Sequence, residues 1–395
     1  MFEVFLFWTY LFLLLIFWGN INMNCYEKIL FVSPNLGSGG GGAERQIVTI
    51  ACLLKNRGYE VEFLCYCDGD FYYYILEQQH IPVYWKISSS YWKRMISVRK
   101  FIRKGKYDVV ISFLETPNFL NNFAAFGGKN WKVITGERSA KEEHFLSRRG
   151  KVFAWFQRFA DCVVCNSENA RNMWQQYYPN YTDKLFVIYN SVNLQPVTST
   201  YYPKREGKLH ILIAASYQYL KNPIGLIKAI SMMSAEDKEK LVVDWYGRAE
   251  ITKGDTRCYN EAVRLVQEHG LQNVIRLNFS TDHIQNKMNE ADVVALFSRL
   301  EGLPNAICEG MTIGKPIVMT RVSDYDVLID ETNGLLCDWN DVESIKNVLM
   351  KVVRLDCDEL LCMGDCSRQK AIELFSRERV INSWINLISD KYKVQ

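Results

Sequence analysis

The chain has 395 residues, 48% of them hydrophobic and 23% charged, a globular composition too long for one ordinary core and suited to two domains. A formal net charge of +3 is too weak to imply nucleic acid as a partner, and five histidines without an HExxH or His-x-His pattern argue against a transition-metal site. Twelve cysteines scattered from Cys25 to Cys366 do not form a disulfide framework and fit a reducing, cytoplasmic setting; Cys162-Val-Val-Cys165 reads as a buried strand with no second ligand pair.

Residues 1–22 (MFEVFLFWTYLFLLLIFWGNIN) form an apolar segment whose only charge is Glu3. As a helix, residues 2–18 would span about 26 Å, slightly short of a bilayer crossing, and neither a positive leader nor a small-residue cleavage site is evident. The segment reads either as an anchor or as an over-extended start upstream of Met23. Then comes an apolar strand, KILFVSPN (28–35), a glycine loop, GSGGGGAER, a helical run closed by Gly58, and the strand VEFLCY. This β-loop-α-β opening starts a doubly wound α/β domain. A helix ISVRKFIRK and strands DVVISFL, KVITGE, CVVCNS and LFVIYNSV continue it, so a first domain is expected over 24–193. Residues 194–208 (LQPVTSTYYPKREGK) lack apolar periodicity and read as a linker.

A second α/β series fills 209–375, with strands HILIAAS, LVVDWYG, VIRLNF, VVALFS and PIVMT alternating with helices PIGLIKAISMM, CYNEAVRLVQEHG, TDHIQNKMNEA, NAICEGMTI and ESIKNVLMKVV. Residues 376–395 carry apolar residues at helical spacing and are expected to form a C-terminal helix crossing back to the first domain. The expected fold is α/β: two Rossmann-like doubly wound domains facing a cleft, preceded by the hydrophobic segment.

EGLPNAICEGM, residues 301–311, sits between a strand and a helix whose first turn suits Pro304. Ligands of open α/β sheets bind beyond the carboxyl ends of the strands. Glu301 would lie in that loop and Glu309 about two helical turns on, while backbone N–H groups around Leu303, Pro304 and Asn305 (the proline itself lacking one) would face the crevice, ready for an anion. Carboxylates beside an anion site suit sugar hydroxyls, so the pattern fits a nucleotide sugar.

EGLPNAICEGMTIGKPIVMT resembles the E-x7-E signature of the retaining GT-B glycosyltransferases grouped as family 4. The likeness runs from about residue 28 onward, through the GGGGAER loop, VIYN, KNPIGLIKAI, DWYG and NGLLCD, in the family's order. It implies that Glu309 holds the donor ribose and Glu301 the donor sugar, that Lys221 holds the diphosphate, and that no divalent ion or other cofactor is needed. The family's arginine five positions before that lysine is replaced by Ser216, which removes a charge expected to offset the departing diphosphate. Either the serine hydroxyl suffices or another cation substitutes; Arg248, just after Gly247 at the end of LVVDWYG, is the candidate, the alternative being an ordinary surface arginine.

On the acceptor side, Gly39–Gly42 would let backbone approach the donor phosphates or the acceptor, with Gly41 and Gly42 nearest the helix, unless the loop is merely a flexible turn. Glu137 and Arg138, closing KVITGE, are candidates for orienting the acceptor hydroxyl or for loop salt bridging. Asp68-Gly-Asp70 and Asp324-Tyr-Asp326 both spell DxD and read as turns. Residues 93–106 hold seven basic and no acidic residues, with Met95, Val98 and Ile102 on one helical face; with 148–160 they read either as solvated helix faces or as a surface for anionic lipid. The resemblance thus implies a hexosyl- or N-acetylhexosaminyltransferase, moving sugar from a nucleotide-diphosphate donor to a saccharide or lipid-linked acceptor in cell-surface polysaccharide or glycolipid assembly, at the inner face of the membrane. A sugar-nucleotide epimerase or hydrolase on the same fold, or a non-catalytic nucleotide-sugar-binding protein, are the alternatives.

Overall fold

The protein is described from a computed structural model covering residues 27–37, 42–138, 142–192, 202–204, 207–250 and 254–389, the side chains of 143 and 144 excepted. The apolar segment 1–22, Gly39 to Gly41 and most of the linker 194–208 lie outside the described residues. No helix among the described residues is long and apolar enough to cross a membrane.

Near-continuous apolar runs in the sequence become strands buried on both faces, as a parallel sheet demands. In the first unit these are β1 (Lys28–Ser33), β2 (Glu60–Cys65), β3 (Val83–Trp85), β4 (Val109–Phe113), β5 (Lys132–Glu137), β6 (Cys162–Cys165) and β7 (Leu185–Val187), in the order β3-β2-β1-β4-β5-β6-β7. In the second they are β8 (Leu209–Ala214), β9 (Leu241–Gly247), β10 (Ile275–Phe279), β11 (Val293–Leu296), β12 (Ile317–Thr320) and β13 (Gly334–Cys337), in the order β10-β9-β8-β11-β12-β13. The described pairings are parallel throughout. Strand order reverses between β1 and β4 and between β8 and β11, so each sheet has a switch-point crevice beyond its strand ends.

Glu115–Ala125 and Cys357–Phe375 are the two longest of the helices absent from the periodicity reading. Glu115–Ala125 opens after Leu114, whose φ of +76° turns the chain sharply off β4. Its sequence, ETPNFLNNFAA, looks like a loop because Asn118, Asn121 and Asn122 are polar, yet all three are buried. Their side-chain NH2 groups donate inside the fold: Asn118 to the Gly136 carbonyl at 3.0 Å, Asn121 to the Val110 carbonyl at 3.0 Å, and Asn122 to Gln157 at 3.0 Å. The other helix, Cys357–Phe375, is held at its start by a capping box between Asp356 and Glu359.

The helix Arg377–Ile388 packs on the first unit. Val380, Ile381, Trp384, Leu387 and Ile388 are buried in one core with Ile29, Phe31, Ile47 and Leu54. Lys132 Nζ donates to the Leu387 carbonyl at 2.6 Å, and Arg57 pairs with Glu378 at 2.5 Å.

Candidate active site

The two switch-point crevices face each other, and the side chains that meet there come from loops after β8, β11 and β5 and from two helix starts. Beyond β8 the chain makes a 3-10 turn, Tyr219–Lys221, into the helix Pro223–Ser231. Asn222 takes a left-handed conformation, φ +62°, and its side chain caps that helix by accepting from Gly225 N–H at 3.2 Å. This fixes Lys221, whose Nζ lies 2.5 Å from Glu301 Oε1. Ser298 Oγ donates to the same oxygen at 2.6 Å, and the Arg299 N–H donates to the Leu220 carbonyl at 2.8 Å, tying the β11 loop to the β8 loop. Both Glu301 and Lys221 are largely shielded, with 11% and 20% of the side chain exposed.

The helix Asn305–Thr312 starts after buried Leu303 and Pro304, and no side chain caps it. The N–H groups of Asn305 and Ala306 are therefore left for an anion, while the Ile307 N–H donates to the Pro304 carbonyl at 3.0 Å. Glu309 lies one turn in and pairs with Arg45 Nη2 of the first unit at 2.6 Å. A Cβ on Gly42, the first residue of the helix Gly42–Asn56, would come within 3.2 Å of Asn305 Nδ2, so the two helix starts abut. Asn305 Oδ1 accepts from Asn190 Nδ2 at 2.9 Å, and Asn190 Oδ1 from Arg138 Nη1 at 3.0 Å.

The Arg138 guanidinium lies 3.7 Å from the centre of the Phe113 ring. Burial pulls it down to about 9, so it is still protonated at neutral pH. Glu137 is turned the other way. Its Oε1 accepts from Arg138 N–H at 2.9 Å and its Oε2 from Trp174 Nε1 at 3.3 Å, inside the first unit. Of this pair, the structure brings only Arg138 to the cleft.

Gly247 has no room for a side chain, because a Cβ would sit 2.0 Å from the Ala215 carbonyl. That contact lays the 215–217 loop against the end of β9. Ser216 Oγ accepts from Gln218 Nε2 at 2.8 Å, while exposed Arg248 gives its carbonyl to Tyr217 N–H at 3.0 Å. Gly41 falls outside the described residues.

Of two further residues here, Arg45 was not singled out from the sequence and Asp324 was read only as part of a turn. Arg45 ends the glycine-loop stretch GSGGGGAER and stands one turn into a helix, a position from which a side chain reaches across a crevice. Asp324, from a DxD tripeptide, is 1% exposed and accepts from the N–H groups of Glu168 at 2.6 Å and Asn169 at 2.8 Å and from Tyr189 OH at 2.7 Å. An aspartate of the second unit thus caps the helix Glu168–Tyr177 of the first. Among the described residues no group of three or more His, Cys, Asp or Glu is placed to hold a metal.

Residues 40–196 match the family description "Glycosyltransferase Family 4", and residues 199–364 match "Glycosyl transferases group 1". The chain belongs to the GT-B glycosyltransferases. This glycosyltransferase is 25% identical over 385 residues to the "GalNAc-alpha-(1->4)-GalNAc-alpha-(1->3)-diNAcBac-PP-undecaprenol alpha-1,4-N-acetyl-D-galactosaminyltransferase" of Campylobacter jejuni, covering 92% of this chain and 98% of the relative. It is 26% identical over 146 residues to the "UDP-Gal:alpha-D-GlcNAc-diphosphoundecaprenol alpha-1,3-galactosyltransferase" of Escherichia coli, 32% of this chain and 37% of that one. Among solved structures, Anabaena Alr3699/HepE in complex with UDP shares the fold of the glycosyltransferase, with a TM-score of 0.78 at 20% identity over 92% of this chain and 100% of that one.

Proposed function

We propose that the glycosyltransferase takes a UDP-sugar and transfers the sugar, with retention, to a hydroxyl of a lipid-linked saccharide at the cytoplasmic membrane surface. The observation that carries the reading is the meeting of Glu301, Lys221, Glu309 and an uncapped helix start in one cleft. Glu309 would accept from the ribose hydroxyls and Glu301 from a hydroxyl of the donor sugar. Lys221 and the N–H groups at Leu303 and Asn305 would offset the charge that develops on the diphosphate as it leaves. The acceptor oxygen bonds to the anomeric carbon while the bond to the β-phosphate oxygen breaks, and the acceptor proton passes to that departing oxygen. Residues 24–193 would carry the acceptor and 209–375 the donor, with the segment 376–395 returning to the acceptor side. Arg138 would orient the acceptor; Gly41, Gly42, Ser216, Gly247 and Arg248 would shape or charge the donor side.

The acceptor class is supported by the Campylobacter relative, named for an undecaprenol-linked substrate and matched over nearly its whole length. A lipid surface is supported by the first unit's exterior. Twelve of the eighteen exposed large hydrophobics among the described residues lie between Phe71 and Trp155, including Trp92 at 70%, Ile87 at 51% and Val152 at 52%. Lys93, Lys100, Lys104, Lys106 and Lys151, in the same stretch of chain, are exposed as well. Arg99 and Arg103, on the same helix as Lys93 and Lys100, donate to the carbonyls of Ala124, Phe126 and Gly128 at the end of the helix Glu115–Ala125.

Radiolabelled UDP-sugars incubated with the protein and a bacterial lipid extract test the reading. Label is expected in the lipid fraction; release of free sugar at the same rate with and without lipid would overturn it.

A further inference from the structure

The cation missing at Ser216 has a candidate on the opposite wall of the cleft. At the second unit's crevice, Lys221 pairs with Glu301 at 2.5 Å and would face the diphosphate from that wall, and Arg248 is exposed at the outer end of β9. Arg45 comes from the first unit, stands one turn beyond Gly42, and donates from Nη2 to Glu309 Oε1 at 2.6 Å. A guanidinium has five N–H donors in a planar fork; the others on Arg45 make no hydrogen bond among the described residues. The side chain is 44% exposed, so it has room to turn. The start of the helix Asn305–Thr312 lies four residues before Glu309, about 6 Å along the axis, within the sweep of an arginine side chain.

Resting on the donor reading above, we propose that Arg45 is a ligand of the donor diphosphate, reached by exchanging partners. Ribose hydroxyls take Glu309 Oε1 in place of the guanidinium, and the guanidinium moves to the diphosphate at the neighbouring helix start, where its fork matches two phosphate oxygens. The exchange keeps charge balanced at every stage. Glu309 is paired with Arg45 before the donor enters, and afterwards the charge of Arg45 faces phosphate while the carboxylate is satisfied by hydroxyls. It also brings the first unit onto the donor, so that a bound nucleoside diphosphate bridges the two domains where a nucleoside alone does not.

Calorimetry with UDP and with uridine separates the parts. For Arg45→Gln, the UDP dissociation constant is expected to rise ten- to a hundredfold, while that of uridine stays the same or falls, because a competitor for Glu309 has gone. Arg45→Lys should recover part of the UDP affinity, since charge returns without the fork. Arg45 is overturned as a diphosphate ligand if Arg45→Gln weakens uridine as much as UDP, or weakens neither. Glu309→Gln reports on the donor reading separately: it should weaken uridine and UDP together, and unchanged uridine affinity there would remove the ribose role of Glu309 whatever Arg45 does.

Discussion

Replacing Asp324 by alanine should loosen the two domains from each other without unfolding either. Three donors lose their partner: the N–H groups of Glu168 and Asn169 and the hydroxyl of Tyr189. A buried donor left unpaired costs about 1–3 kcal/mol. Water reaches this helix start, since 32% of the Glu168 side chain is exposed, so the low end applies to each. The sum is about 3 kcal/mol, or roughly a hundredfold in the opening equilibrium. Native-state hydrogen exchange reads it directly: the amides of Glu168 and Asn169 should exchange about a hundred times faster, while those of β1 and β4 keep their protection. Asp324→Asn retains a carbonyl oxygen suited to capping and should lose about a third as much free energy. Unchanged exchange at both amides in Asp324→Ala would refute the capping role, and equal acceleration across β1 and β4 would show that the residue supports the whole fold instead.

Glu309→Ala should keep the fold and raise the donor dissociation constant ten- to a hundredfold, since hydrogen bonds to a charged group are worth about 1.5–3 kcal/mol; calorimetry checks this, and unchanged affinity would sink the ribose assignment. Replacing exposed Lys93, Lys100, Lys104 and Lys106 with glutamine should release the protein from anionic vesicles in a flotation assay, as each such charge near the surface is worth about 1 kcal/mol; binding indifferent to salt and to these changes would remove the lipid surface. Asp330 is held down at about 2, chiefly by its hydrogen bond from Lys370 at 2.8 Å. A depressed folded-state value means stability present above the unfolded carboxylate range and lost as pH falls toward 2. Asp330→Asn should therefore be less stable than the parent at pH 7, with the gap closing below about pH 4; a pH-independent gap in denaturant melts would contradict the pair.

Much of this architecture is legible because its strands are buried on both faces and so spell out plain apolar runs. KVITGE and LVVDWYG become β5 and β9 residue for residue. The helix Glu115–Ala125 was hidden for the converse reason: its asparagines are buried against sheet carbonyls, and polarity in a sequence does not reveal which polar groups find partners inside. At the site, the pairing of Lys221 with Glu301 follows from two strand-end loops on neighbouring strands, β8 and β11, and that adjacency is a consequence of the doubly wound order. The pairs that join the domains follow from no local pattern. Arg45 and Glu309 are 264 positions apart, and only the docking of one unit on the other brings them together. The same holds for Asp324, where the residues that decide its role stand in another domain.

The seating of Trp384 in the core of the first unit bears on how the chain is made. At translation rates of about 5–20 residues per second, roughly 10 to 40 s separate the end of β7 from the appearance of the helix Arg377–Ile388. Throughout that interval the nascent first unit carries an open apolar groove beside Phe31, Ile47 and Phe113, where Trp384 will later lie. The first unit therefore waits for the helix Arg377–Ile388 to emerge, and a chaperone that shields hydrophobic surface on nascent chains has a defined place to hold it until then.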